Sequence, residues 1–151
     1  RAQVIPDGDL IPGILTCISG SSTHALMGIG ASPEGVITAA AVKLLGGQMQ
    51  VKFWPRDEED KKRLVETMDI ILDKVYTEEE LAPGKNLIFC VTAVTALSTA
   101  TKHILDGVSF FGGAAKTNSL LITNRSLENI STTHVLDISE FEAQRSEFRL
   151  E

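Results

Sequence analysis

The sequence predicts an α/β domain with a mixed sheet flanked by helices, and three observations carry that expectation. Apolar runs of strand length alternate with helical periods in the order strand–loop–helix–strand–helix–strand–helix–strand. The run Leu64, Val65, Met68, Ile71, Leu72, Val75 repeats at three- and four-residue steps. The chain has 151 residues, 43% of them hydrophobic and 23% charged, enough to enclose a sizeable core.

Gln3 to Pro6 reads as a short strand that breaks at Asp7-Gly8-Asp9. The chain opens on Arg1 and runs straight into that strand, so it is expected to have been cut from something longer. Leu10 to Ile18 reads as a short helix entered at Asp9, and Ser19-Gly20-Ser21-Ser22 as a loop. Ala25 to Met27 is expected to be a buried strand ending in Gly28-Ile29-Gly30, where backbone can approach backbone or ligand closely. Ser32 is a good N-cap with Pro33 at the first helical position. The helix runs through Val36, Ile37, Ala40, Ala41, Leu44 and Leu45 to Gly46-Gly47.

Gln48 to Trp54 alternates like a half-buried strand, and Asp57 to Val75 reads as a scaffold helix with acids in its first turn. Glu78-Glu79-Glu80 reads as a solvated helix end. Pro83 to Asn86 is a turn and Leu87 to Thr92 a continuous buried strand. Ala96 to Leu105 is a weaker helix, with strands at Val108 to Phe111, Ser119 to Thr123 and Thr133 to Ile138. The last two dozen residues are divided into the end of a domain spanning 1–139 and a charged helix or tail, 140–151, anchored by Phe141 and Phe148.

The net charge of −6 with scattered acids argues against a generic nucleic-acid or anionic-membrane surface. No apolar run approaches bilayer-spanning length. Cys17 and Cys90 read as buried free thiols, and His24, His103 and His134 as surface or satisfied histidines. No G-x-S-x-G elbow occurs.

The chemistry concentrates at the strand–glycine turn–helix around Glu34. Free amides and the helix dipole favour phosphate there. A carboxylate in the same turn would repel a phosphate unless a divalent metal sat between them; otherwise Glu34 is only a dipole-friendly surface residue. Asp7 and Asp9 are either an ordinary turn or carboxylates that accept from a polyhydroxylated ligand or lie near a cation.

Val4-Ile5-Pro6-Asp7-Gly8-Asp9 together with Met27-Gly28-Ile29-Gly30-Ala31-Ser32-Pro33-Glu34-Gly35-Val36 resembles the class II fructose-1,6-bisphosphatases, whose bacterial and cyanobacterial members include dual fructose-/sedoheptulose-bisphosphatases. The similarity continues through Ala39 to Gln50 and returns more loosely at Val108 to Leu121. It implies the carboxyl-terminal half of a layered, lithium-sensitive phosphatase-like sugar-phosphatase fold. The activity implied is metal-dependent hydrolysis of fructose 1,6-bisphosphate, in gluconeogenesis or carbon fixation, by a cytoplasmic enzyme that is a homo-oligomer through its full length. Glu34 is implied as a ligand to catalytic Mn²⁺ or Mg²⁺, and Asp7, Gly8, Asp9 and Ala31 as substrate contacts. Ala31 stands where relatives commonly have Gly. No catalytic residue falls within this chain, because the family's other metal carboxylates and its lysine belong to the amino-terminal half. Val91-Thr92-Ala93-Val94-Thr95 departs from the family's A-T-G-[VI]-T. The alternatives are a non-catalytic remnant of that fold and a nucleotide-binding Rossmann-like module using Gly28 and Gly30.

Overall fold

A computed structural model describes residues 2–5, 8–95 and 105–136. The chain is α/β and divides into two compact units, Arg1–Leu87 and Ile88–Glu151. The expected boundary at 139/140, the charged tail and nearly all of the Ala96–Leu105 helix lie outside the described residues, as does Asp7.

The first unit opens with α1 (Leu10–Leu15) and α2 (Ser32–Leu44). The two helices meet where Gly13 faces the buried Thr38: a Cβ on Gly13 would stand 2.8 Å from the Thr38 methyl. Ile14, Leu15, Ala39, Ala41 and Val42 are buried around that crossing, with Leu64 and Ala82 completing the core of the unit. α2 ends as its sequence dictates. Gly46 takes φ +71°, its amide reaches the Lys43 carbonyl at 3.1 Å, and the Gly47 amide reaches Val42 at 2.9 Å, the paired bonds of a Schellman cap.

β1 (Gln50–Lys52) pairs antiparallel with β2 (Val75–Thr77), Val51 opposite Tyr76. Between them lie α3 (Glu58–Lys62) and a π-helical turn, Arg63–Thr67. α4 (Glu78–Leu81) follows β2 directly. The long helix expected over Asp57–Val75 therefore stops early. Its ladder widens at Arg63, the Ile70 amide bonds to the Leu64 carbonyl at 2.9 Å, and Asp69 adopts φ +52°, which no helix continues.

Gln3–Ile5 and Ala25–Met27 form no strand among the described residues, contrary to expectation. The apolar run at Ala25 is too short to organise a ladder without a neighbour, and Met27 is 92% exposed.

The second unit is a four-stranded sheet of β3 (Ile88–Thr92), β4 (Ser109–Phe111), β5 (Ala114–Thr123) and β6 (Leu127–Val135). β5 is central, with β3 and β4 along one side and β6 along the other. Gly112 and Gly113 both have positive φ, as the tight two-residue turn between β4 and β5 requires. At the next hairpin the Thr123 hydroxyl accepts from the amides of Arg125 and Ser126. Short turns make β4–β5 and β5–β6 antiparallel, the longer connections bring β1–β2 and β3–β5 together in the same sense, and the mixed sheet expected from the sequence is replaced by two antiparallel ones among the described residues. β3 also differs from a strand buried on both faces: Phe89 is buried while Ile88 and Cys90 on its other face are exposed. Cys90 is thus not the buried thiol expected, and Cys17 is half-buried against Gly47. The unit's core is Phe89, Ala93, Leu105, Ala115, Leu120 and Ile122.

Glu78, Glu79 and Glu80 form the first turn of α4, and each carboxylate has its own partner. Glu78 accepts from the Met49 amide at 2.8 Å. Glu79 pairs with Lys43 at 2.7 Å. Glu80 pairs with Lys74 at 2.6 Å and accepts from the Thr77 amide.

Two outcomes follow from this packing. Gly13→Ala should lower the unfolding free energy by about 1–3 kcal/mol through overpacking against Thr38, whereas Gly35→Ala, where a Cβ meets open space, should raise it by up to about 1 kcal/mol through helix propensity; urea melts measure both. The Lys74 ammonium, with help from the Thr77 amide, holds Glu80 below the ordinary carboxylate value of 4.5, and Lys74 is raised in return. That pair's contribution is complete above pH 4.5 and is lost as pH falls through the lower folded-state value. Glu80→Gln should therefore flatten the acid limb of thermal stability against pH, by a small amount because both groups are at the surface.

Candidate functional site

A cleft of about 770 Å³ opens in the first unit. One wall is the segment Leu26–Ala31 leading into the first turn of α2, and the other is β1 with Phe53 and Trp54 after it. Gly8 and Asp9 lie on its border. No residue of 57–75 lines it, so α3 and the π-turn are scaffold.

Glu34 occupies the first turn of α2 and is exposed to the cleft. The N-cap is Ala31, one residue before the Ser32 expected, with φ −77° and ψ 151°. That extended conformation suits any residue, so alanine adopts it without strain. The start of a helix leaves amides outside the intrahelical ladder and a partial positive charge. Here those amides and the Glu34 carboxylate share one turn.

Asp9 reaches the same cleft from the N-cap position of α1. Its carboxylate rests against Gly30: a Cβ on that glycine would lie 2.5 Å from Asp9 Oδ2. A glycine at position 30 thus seats the Asp9 carboxylate against the chain leading to Glu34. The structure brings Gly8, Asp9, Ala31 and Glu34 to one cleft, while Asp7 is outside the described residues. They converge through loops and helix starts rather than at the carboxyl edge of a shared sheet. Gly28, by contrast, has open space where its Cβ would be.

The sequence offers Gly30 as a point of close approach, or as part of a nucleotide-binding turn, but not as the seat of Asp9, and it offers Gln48–Trp54 as strand alone. The alternation of that strand is as expected, with Met49, Val51 and Phe53 half-buried and Gln50, Lys52 and Trp54 exposed. Which groups meet a glycine is decided by tertiary approach, so only the need for a small residue was readable.

Hard carboxylate oxygens such as that of Glu34 suit Mg²⁺ or Mn²⁺. Among the described residues, however, no three His, Cys, Asp or Glu side chains gather to hold an ion, so the donors present do not complete a metal site. Nor, among the described residues, does any helix have the length and apolarity to cross a membrane.

The family model described as bacterial fructose-1,6-bisphosphatase, glpX-encoded, matches residues 1–134. The chain is 37% identical over 151 residues to the D-fructose 1,6-bisphosphatase class 2/sedoheptulose 1,7-bisphosphatase of Synechococcus sp. (strain JA-3-3Ab). It is 38% identical to the similarly named proteins of Acaryochloris marina (strain MBIC 11017) and Thermosynechococcus vestitus (strain NIES-2133 / IAM M-273 / BP-1). Each match covers 91% of this chain and 42% of the relative, so the chain spans about two fifths of their length.

Gly30→Ala should displace the Asp9 carboxylate and leave the fold intact, because the atom in the way is the end of a side chain. The expected result is a shifted Asp9 carboxyl carbon resonance with a near-unchanged melting transition. An unmoved Asp9 resonance would place that carboxylate elsewhere.

Proposed function

The chain belongs to the glpX-encoded bacterial fructose-1,6-bisphosphatase family, and on that premise we propose that it supplies the substrate-facing part of a metal-dependent sugar bisphosphatase that hydrolyses fructose 1,6-bisphosphate to fructose 6-phosphate and phosphate. The observation that carries this reading is the convergence of Asp9 and Glu34, from two separate motifs, on one cleft that also receives the start of α2.

In this reading Glu34 is one of several ligands to Mn²⁺ or Mg²⁺, the rest coming from outside these 151 residues. When bound, such an ion polarises phosphoryl oxygens and stabilises the charge of the leaving alkoxide. The residues of this chain bind and orient. Asp9 accepts hydrogen bonds from sugar hydroxyls, and its seat on Gly30 fixes the direction in which it offers them. Asp7 and Gly8 extend that contact, and the backbone at Ala31 approaches the substrate as the α2 amides approach a phosphate oxygen. Exposed Trp54 and Met27 on the walls give the sugar a non-polar boundary.

The Rossmann-like alternative loses its footing, since it needs a strand directly before the glycine turn and Ala25–Met27 forms none. A non-catalytic remnant is separated from the enzyme by experiment.

The 151-residue chain alone should show no turnover of fructose 1,6-bisphosphate with Mg²⁺ or Mn²⁺; turnover abolished by Glu34→Gln would overturn the ligand count. Grafted in place of the matching two fifths of the Synechococcus relative, it should give an active chimera. In that chimera Asp9→Ala should raise KM about ten- to a hundredfold, the loss of hydrogen bonds to a charged acceptor. Glu34→Gln should weaken Mn²⁺ binding measured by titration. A folded, metal-binding chimera without activity would mark the chain as a remnant.

A further inference from the structure

Among the described residues, the ionisable side chains on the cleft are Asp9, Glu34 and Lys52. The two acids reach it from the starts of α1 and α2, and Lys52 reaches it from β1, on the opposite wall. A sugar with a phosphate at each end needs more than the acids can offer. A cation anchored at Glu34 serves the phosphate that is cleaved. The phosphate that is kept stays charged throughout and needs a positive group of its own.

The strand shows which side chains are free to meet it. Val51 lies opposite Tyr76 in the ladder and Phe53 meets the Tyr76 ring at 5.3 Å, so that face of the strand is already packed. Alternation puts Gln50, Lys52 and Trp54 on the other face, and all three are exposed. Lys43, a second cation of the same unit, is only 16% exposed and is committed to Glu79 and to the Ala82 and Gly84 carbonyls. Lys52 is held far more loosely. Its ammonium stands 3.3 Å from Asp73 Oδ1, with the Asp73 side chain 98% exposed. An exposed pair of that length is weak, and an ammonium has three protons to offer.

We propose that Lys52 binds the phosphate that is not cleaved, giving up Asp73 to do so, while the neighbouring Trp54 ring covers the sugar carbons. Lys52 is then a specificity residue. It selects a sugar that carries a phosphate at this end over one that carries a hydroxyl there. The choice of ligand rests on the proposed function, whereas the site itself rests on the one basic side chain that the described cleft contains. Asp73 acts as a competitor that keeps the ammonium in place while the cleft is empty of phosphate.

The test is titration of the 151-residue chain with fructose 6-phosphate and with fructose, followed by tryptophan fluorescence. Trp54 is the single tryptophan of the chain, so the signal reports this wall. The expected result is a saturable change with fructose 6-phosphate at lower concentration than with fructose. Lys52→Gln should weaken fructose 6-phosphate binding about tenfold, the loss of a hydrogen bond between charged groups, and erase its advantage over fructose. Lys52→Arg, which keeps the charge, should retain the advantage. Asp73→Asn should tighten binding about two- to fivefold by removing the competing exposed pair, a gain that no loss of folding would give. No saturable change with fructose 6-phosphate, an advantage over fructose that survives Lys52→Gln, or an Asp73→Asn chain that binds less well would each overturn the proposal. The titration uses neither metal nor turnover, so failure at Lys52 is distinct from failure of the phosphatase reading, which the chimera tests through Asp9 and Glu34.

Discussion

The ammonium of Lys43 sits in the last turn of α2 and reaches across to the end of α4, where it bonds the carbonyls of Ala82 and Gly84 at 2.8 and 3.1 Å and pairs with Glu79 at 2.7 Å. Its side chain is only 16% exposed, so these contacts replace water that would otherwise satisfy the charge. They satisfy the carbonyl of Ala82 at the end of α4 and that of Gly84 in the turn after it. With that end of α2 held, and its middle held at the Gly13–Thr38 crossing, the helix has little freedom left in where it points. Its free end is the turn carrying Glu34.

The same four-residue helix positions the opposite wall. Glu78 takes the Met49 amide just before β1, and Phe53 beyond β1 meets Tyr76 of β2 edge to face at 5.3 Å. Tyr76 in turn accepts from the Ile71 amide at 2.8 Å and lies beneath the Lys74 ammonium. α4 is thus a hub: one of its glutamates fixes the helix that presents Glu34, and another fixes the strand facing it. A helix of this length has no stability of its own, which is why its acids are spent on tertiary partners rather than left to solvent.

How far the sequence disclosed this depended on whether local chemistry or distant contact made the decision. α2 was legible nearly to the residue, since Ser-Pro-Glu at its start and Gly46-Gly47 at its end act within one turn. The turns at Gly112-Gly113 and Asn124-Arg125-Ser126 were legible for the same reason, but the strands beside them were not: β5 begins at Ala114 rather than Ser119, and β6 spans Leu127–Val135 rather than Thr133–Ile138. The helix expected over Asp57–Val75 was not, because spacing of three and four residues is as compatible with a short helix, a π-turn and an extended return as with one long rod. Ala25–Met27 misled in the opposite way: apolar residues before a glycine turn imply a strand only when another strand is there to receive them. The Glu78–Glu80 cluster looked like solvated charge because Lys43, Met49 and Lys74 are brought to it by the fold. At the cleft, Glu34 in a first helical turn was readable locally, but its company with Asp9 entered only through the family resemblance.

The acids of the molecule separate into two populations on physical grounds. Asp60 is held below its ordinary value first by the Arg56 amide and then by Arg63, Glu66 pairs with Lys62, Glu58 with Lys61, Asp73 with Lys52, and the α4 glutamates are each engaged. In a chain with 20 acidic and 14 basic side chains, cations run short before acids do. The carboxylates left without a basic partner among the described residues include Asp9 and Glu34, the two that line the cleft. Stability gives no reason to place them near a common opening, because like charges gathered there repel and neither gains an ion pair from the fold. The proposed function would give that position a reason, a ligand with hydroxyls to donate and a cation to share. Among the described residues, Asp9 and Glu34 are acids to which the fold gives no basic partner, and on them the proposed reading rests.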